Sequence, residues 1–251
     1  MITSTDHGSV RELRLNRPPA NALSPELIAS LAEQIKKSPS QGVRAIVMSG
    51  TPGMFSAGLD VPLLLTLNRS AMDRVWRDFY LLLGSLACSP IPIAAAITGH
   101  APAGGTVLPL FCDFRCMGEG NWKMGFTEVQ VGLPLPPVIY AALRRQVGPR
   151  QAERLAAGGV LLSPREALNI GLLDELVAAE RVVDRAIEWC EVMLTLPAKA
   201  MSETRTKARA DLVALFENLD AEINSVAESW WSDEAQRTLK GVAEKLARRK
   251  A

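Results

Sequence analysis

The chain has few histidines and cysteines, no excess of charge and no sustained apolar run, and each shortage removes a class of function. Its 251 residues include only His7 and His100 and four cysteines, of which Cys112 and Cys116 alone stand close together. A zinc site needs further paired Cys or His ligands at short spacing, so no metal is expected. Cys88, Cys112, Cys116 and Cys190 lie in apolar or helix-like text and are read as reduced core thiols. The apolar stretches are interrupted by Pro, Gly, Asp or Arg well short of bilayer length, and no transmembrane helix is expected. Lys and Arg total 28 against 27 Asp and Glu, a net charge of +1, so no basic field draws the chain to nucleic acid. Met1 to Gly8 shows no basic stretch before an apolar run, which points to the cytoplasm. Gly-x-Ser-x-Gly, the phosphate loop Gly-x-x-x-x-Gly-Lys and the dinucleotide fingerprint are all missing, which sets serine hydrolysis, ATP and NAD aside. His100 lacks an accompanying Asp or Ser and is assigned a packing or turn role.

What is present reads as a single α/β catalytic unit, since 251 residues can bury one full core. Val10 to Leu15 alternates like a half-exposed strand, and Asn16-Arg17-Pro18-Pro19 then forces a turn. Ser24-Pro25-Glu26 supplies an N-cap, an N1 proline and an early acid for a helix to about Lys37. Val43 to Met48, Ile91 to Ile97 and Phe114 to Met117 read as buried strands, with a helix from Gly104 to about Cys112. That alternation gives βαβ units with right-handed crossovers. From Pro136 the text turns helical, punctuated at Gly148-Pro149, Ser163-Pro164-Arg165-Glu166 and Leu196-Pro197. The last stretch spaces Leu212, Leu215, Phe216, Leu219, Ile223 and Val226 on one helical face, to be covered by the same chain or by another subunit. Arg248-Arg249-Lys250 complement a helix dipole, with a phosphate contact as the alternative. Trp230-Trp231 reads as packing, without the basic neighbours of a stacking platform.

Three segments carry chemistry. Phe55-Ser56-Ala57-Gly58-Leu59-Asp60 is a small-residue turn that aims the Ala57 N–H outward as a donor, or simply a tight turn in which Asp60 caps the next helix. Gly99-His100-Ala101-Pro102-Ala103-Gly104-Gly105-Thr106 opens a helix whose free N–H groups suit an enolate oxygen, or else packs helix on strand. Two such donor sites in one chain favour an oxyanion hole, which needs convergent donors. Phe126-Thr127-Glu128-Val129 sets one carboxylate among apolar neighbours, where burial raises its pKa toward a proton-transfer value; the alternative is a solvent-facing strand residue.

In this order these segments, with Asn16-Arg17-Pro18-Pro19-Ala20-Asn21-Ala22-Leu23 and Cys112-Asp113-Phe114-Arg115, resemble the enoyl-CoA hydratase/isomerase (crotonase) family over nearly the whole chain. Within it they are most similar to the mitochondrial-type Δ3,Δ2-enoyl-CoA isomerases. The resemblance implies a crotonase (ClpP-like) spiral of ββα repeats over residues 1–195, followed by C-terminal trimerisation helices over 196–251. It implies a homotrimer or dimer of trimers, no cofactor beyond the CoA of the substrate, and an oxyanion hole between the Ala57 and Gly104 amides. Ala20, Ser56, Gly58, Leu59, Asp60, Gly105 and Thr127 are implied to bind substrate. Hydratases of the family carry a first glutamate three residues after the second oxyanion glycine, where this chain has Val107; their second glutamate matches Glu128. The implied reaction is therefore isomerisation of 3-enoyl-CoA to 2-trans-enoyl-CoA by Glu128 alone. The rivals are another crotonase reaction, such as thioester hydrolysis or a specialised hydration, and a non-catalytic acyl-CoA-binding protein. Acyl length is expected to be set by Leu63 to Leu67, Trp76, Phe79 and the C-terminal helices, with Pro109 altering the oxyanion geometry and the Pro134–Pro137 segment reshaping the acyl pocket.

Overall fold

The computed structural model describes residues 1–248; Arg249 and Lys250, part of the basic closing triplet, lie outside the described residues. The chain enters through a hairpin, β1 (Ile2–His7) and β2 (Val10–Leu15), turned at Gly8. β1 is not marked in the sequence, because its outward Thr3, Ser4 and Thr5 give no apolar alternation. β2 is more buried than its charges suggest: Glu12 is 3% exposed and accepts from Ser49 Oγ at 2.5 Å and Arg14 Nε at 3.0 Å. α1 (Pro25–Lys37) starts where expected, the Ser24 hydroxyl accepting from the Leu27 N–H at 3.3 Å.

From there a three-part unit repeats. β3 (Ala45–Ser49) is followed by the two-residue β4 (Gly53–Met54), then α2 (Val61–Leu64) and α3 (Arg69–Ala87). β5 (Ile93–Ile97) is followed by β6 (Gly99–Pro102) and α4 (Gly104–Leu110). β7 (Phe114–Gly118) is followed by β8 (Met124–Gly125), a 3-10 turn at Glu128–Val131 and α5 (Pro137–Gly158). The first strand of each unit joins one parallel sheet, in the order β3, β5, β7, and the second joins another, in the order β4, β6, β8. The result is the expected spiral of ββα repeats. Gly99 to Pro102, read from sequence as the lead into a helix, is thus a strand of the second sheet.

The remaining elements close the spiral. β9 (Leu161–Leu162) pairs antiparallel with β8, α6 (Pro164–Asn169) opens on a Ser163–Glu166 capping box, and β10 (Glu175–Val177) extends the large sheet beside β7. α5 is broken at Gly148, which takes φ 76° before Pro149. α7 (Val182–Thr195) covers the outer face of the large sheet through Val182, Ala186 and Cys190.

α8 (Ala198–Ala208) leads from α7 to α9 (Ala210–Ala214), α9 and α10 (Asp220–Trp230) pack on α3, and α11 (Asp233–Arg248) packs on α2 and the 3-10 turn at Glu128–Val131. The apolar face of this tail is covered by its own chain: Leu212, Ile223 and Val226 are buried in the same core as Trp76, Phe79 and Tyr80. Glu222 joins three elements, accepting at Oε1 from Tyr80 Oη at 2.8 Å and from the Val138 N–H at 3.0 Å. Three of the cysteines are buried thiols, while Cys88 is exposed and departs from the core reading. Burial pushes Cys112 and Cys116 up to about 12, so they stay protonated at neutral pH. No helix among the described residues is long and apolar enough to cross a membrane.

Candidate active site

The three segments singled out in the sequence meet at one cavity of about 480 Å³. Residues 55–60 follow β4, residues 103–105 follow β6, and residues 126–128 follow β8, so the spiral brings corresponding positions of successive repeats together. Ala20, Ala57, Leu59, Asp60, Gly104, Thr127 and Glu128 line the cavity. Ser56, Gly58 and Gly105 stand behind its wall. Ser56 is fully buried, donating to Asn21 O at 2.8 Å and accepting from the Gly58 N–H at 3.2 Å.

Two close approaches hold the donor loops together. Gly58 takes φ +81°, and a Cβ there would sit 2.8 Å from Gly104 N. A Cβ on Gly105 would sit 2.2 Å from Ser56 O. Gly105→Ala must therefore push the residue 55–60 turn off α4, with an expected drop in Tm of roughly 5 °C from overpacking and weaker acyl-CoA binding. Thermal unfolding with and without ligand checks this; an unchanged Tm would mean that the close approach does not hold.

The donors themselves differ from the sequence reading. Ala57 is not free to serve as an oxyanion donor, because its N–H is occupied by Ala20 O at 2.9 Å. Two residues on, Leu59 N–H has no acceptor among the described residues, and neither does Gly104 N–H at the start of α4. The bridge between Leu23 and Leu59 fixes that loop, with Leu23 N–H donating to Gly58 O at 2.8 Å and Asp60 N–H to Leu23 O at 3.1 Å. Ala103, just before Gly104, adopts φ 50° and ψ −124°, a conformation that costs a non-glycine residue about 1–3 kcal/mol. It is held by its N–H to Gly125 O at 2.8 Å, and its carbonyl takes both Thr106 and Val107 amides, leaving the Gly104 amide unpaired. Pro109 falls in the last turn of α4, far from that end.

Two carboxylates line the cavity among the described residues, and only Glu128 has no ion-pair partner. Asp60 pairs with Arg17 Nη2 at 2.6 Å and caps α2 through the Leu63 N–H at 3.2 Å, so both readings of this residue meet in one side chain. Glu128 begins the 3-10 turn rather than lying in a strand, and its Oε2 is enclosed with no hydrogen-bond partner among the described residues. Burial pushes its carboxyl up to about 7, against a smaller downward pull from the Glu128 and Thr127 main-chain amides. Val107, 1% exposed, lines the same cavity and adds no titratable group.

The rest of the wall is apolar. Trp76 and Phe79 contribute as expected, but Val61 and Pro62 line the cavity in place of Leu63 to Leu67, since the short α2 turns its leucines toward the core or away. Leu133, Pro134 and Pro136 form one side, and Val226, Trp230, Leu239, Val242 and Leu246 from α10 and α11 form another. Trp230 thus packs and lines at once, its ring 6.2 Å from that of Trp76 in an edge-to-face arrangement. His100 keeps to a structural role, Nδ1 accepting from the Lys123 N–H at 3.1 Å beside Trp122.

Such an arrangement, one buried carboxyl and two unpaired amides lining an apolar cavity on a ββα spiral, matches a known family. The model of the enoyl-CoA hydratase/isomerase family covers residues 5–250. The chain belongs to that family. Mouse mitochondrial enoyl-CoA delta isomerase 1 is 30% identical over 256 residues, covering 100% of this chain and 88% of the relative. The probable enoyl-CoA hydratase EchA17 of Mycobacterium tuberculosis is 34% identical over 213 residues, covering 84% of this chain and 79% of the relative. Among solved structures, human mitochondrial delta3-delta2-enoyl-CoA isomerase superposes with a TM-score of 0.93 at 28% identity, covering 100% of this chain and 99% of that one. The enoyl-CoA hydratase/isomerase assignment establishes the spiral fold and the coarse activity, an acyl-CoA enzyme acting on enoyl thioesters.

Proposed function

We propose that the protein isomerises 3-enoyl-CoA to 2-trans-enoyl-CoA, with Glu128 as the single proton shuttle. The observation that carries this is the buried Glu128 carboxyl, one oxygen of which has no partner, in a cavity where Val107 occupies the place of a second glutamate. Glu128 as carboxylate takes the proton from C2; the electron pair moves toward the thioester carbonyl, whose oxygen gains charge. The Leu59 and Gly104 amides, both without acceptors, stabilise that oxyanion. The carboxylic acid then delivers the same proton to C4 and the double bond settles between C2 and C3, with no net change in protons. A carboxyl poised near pH 7 suits a group that must both take and return a proton.

Hydration is the rival, since one relative is named a probable hydratase. It shares water placement and proton relay between two carboxylates in this family, and valine can do neither. The deciding assay gives purified protein a 3-enoyl-CoA and follows the conjugated 2-enoyl product by absorbance, with 2-enoyl-CoA as the parallel substrate. Conversion of the first without water addition to the second is the expected result; 3-hydroxyacyl-CoA or free CoA as the main product would sink the isomerase reading. Assembly as a homotrimer or dimer of trimers is part of this reading, supported by Val192 and Leu196, 62% and 45% exposed at the end of α7. Sedimentation velocity is expected to show no monomer at micromolar concentration.

A further inference from the structure

One buried hydroxyl ties the helix that carries the Gly104 donor to the strand that leads to Glu128. Thr106, 1% exposed in the first turn of α4, donates from Oγ1 to Ala101 O at 2.5 Å and accepts at the same atom from the Gly125 N–H at 2.7 Å. It thus bridges β6 and β8 where their register sets Ala101 beside Met124 and Pro102 beside Gly125. On the other side of Gly104, the Ala103 N–H donates to Gly125 O at 2.8 Å. Both polar groups of Gly125 are therefore engaged by residues that flank the Gly104 amide. The Val160 backbone packs so closely on Gly125 that a Cβ there would stand 2.1 Å from Val160 O. Three residues on, past Phe126 at 1% exposed, the chain reaches Glu128.

From this, and resting on the isomerase reading, we infer that Thr106 is a positioning residue whose hydroxyl sets the separation between the oxyanion donor on α4 and the base that follows β8. Thr106 does not line the cavity, so it acts only through the groups it holds. Gly104 and Thr106 share one helical turn, in which the Thr106 and Val107 amides both end on Ala103 O at 2.8 and 3.0 Å, so the donor moves with the hydroxyl. Glu128 is tied in the same way to Gly125. Proton transfer and charge stabilisation must act on one bound thioester together, and a misplacement of about 1 Å between them can cost roughly 10²-fold in rate. Thr106→Val keeps the shape of the side chain and removes its donor and acceptor. The buried Gly125 amide then loses its 2.7 Å acceptor and Ala101 O its 2.5 Å donor, and the two strands must re-space. Thr106→Ser keeps the bridge.

The experiment measures steady-state kinetics with 3-enoyl-CoA for full-length wild type, Thr106→Val, Thr106→Ser and Thr106→Ala, at a temperature below the unfolding of each. Calorimetry on the same samples gives Kd for a saturated acyl-CoA, which cannot be isomerised and reports an intact pocket. Thr106→Val is expected to lower kcat by about tenfold or more with Kd within a few-fold, and Thr106→Ser to hold kcat within about threefold of wild type. Thr106→Ala set against Thr106→Ser repeats the comparison with the buried methyl gone from both, and serves if Thr106→Val does not fold. A hydroxyl-free variant whose Tm falls while kcat holds would overturn the inference, since the bridge would then stabilise the fold without placing the base. So would a loss of kcat that Thr106→Ser shares in full, or a Kd weakened as much as kcat. No turnover of 3-enoyl-CoA by wild type would instead overturn the isomerase reading, and this inference with it.

Discussion

Replacing Glu128 by Gln is expected to lower kcat for 3-enoyl-CoA isomerisation by about 10²–10⁴-fold while leaving acyl-CoA affinity within a few-fold. Gln fills the same space but cannot take a proton, and the Leu59 and Gly104 amides are untouched. In wild type the active form is the carboxylate, and burial holds the pKa at about 7, so kcat/KM should climb tenfold per pH unit below that point and level off above it. The same group makes the enzyme less stable where it works. Because the folded pKa of about 7 exceeds the ordinary 4.5, the folded chain binds the proton more tightly than the unfolded one. Its contribution to stability is therefore full below pH 4.5 and is lost as pH rises through 7, by up to about 3 kcal/mol. Glu128→Gln should accordingly raise the urea midpoint at pH 8 and leave it nearly unchanged at pH 4. An inactive variant without that gain would argue that Glu128 is solvated in the folded enzyme; a gain without loss of activity would remove it as the base.

Asp113→Ala is expected to cost about 3–5 kcal/mol of stability. Asp113, between α4 and β7, accepts from Arg205 Nε at 2.8 Å, Arg205 Nη2 at 2.9 Å, Arg209 Nη1 at 3.0 Å and the Ile93 N–H at 2.8 Å. Arg209 also donates to Phe111 O at 2.7 Å and Ala87 O at 3.3 Å, closing the C-terminal ends of α4 and α3. Burial lowers the Arg209 pKa and the Asp113 charge opposes it, so removing the carboxylate strands a buried cation. Denaturant unfolding of Asp113→Ala, compared with a triple variant that also replaces Arg205 and Arg209 by Met, checks the cause. The triple variant should recover most of the loss; an Asp113→Ala protein within 1 kcal/mol of wild type would show that the network contributes little.

What the sequence revealed follows from how local each signal is. The Ser24-Pro25 cap of α1 and the Ser163–Glu166 box of α6 lie within four residues and were legible, as were β3, β5 and β7, whose runs of apolar residues are long enough to carry a pattern. β4 and β8, two residues each, carry no period at all and exist only because β6 lies between them. Glu128 was legible by resemblance, but α11, which packs on its 3-10 turn, comes from far along the chain. The donor assignment failed for the same reason. Whether residue 57 or 59 keeps a free amide depends on where the Ala20 carbonyl lands, 37 residues earlier in the chain, and no turn motif encodes that.

The helices that end the chain give ligand occupancy a thermodynamic signature. α11 offers Leu239, Val242 and Leu246 to the cavity on one face, and Leu246 is 41% exposed. An acyl chain in the cavity would complete the apolar layer against which that face packs. By linkage, a ligand present at a hundred times its Kd adds about 2.7 kcal/mol to the folded state, and a helix seated on the ligand receives a share in its local opening equilibrium. Amide hydrogen exchange along residues 233–248 should therefore slow in proportion to bound thioester, making the tail of the chain a built-in gauge of how full the enzyme is.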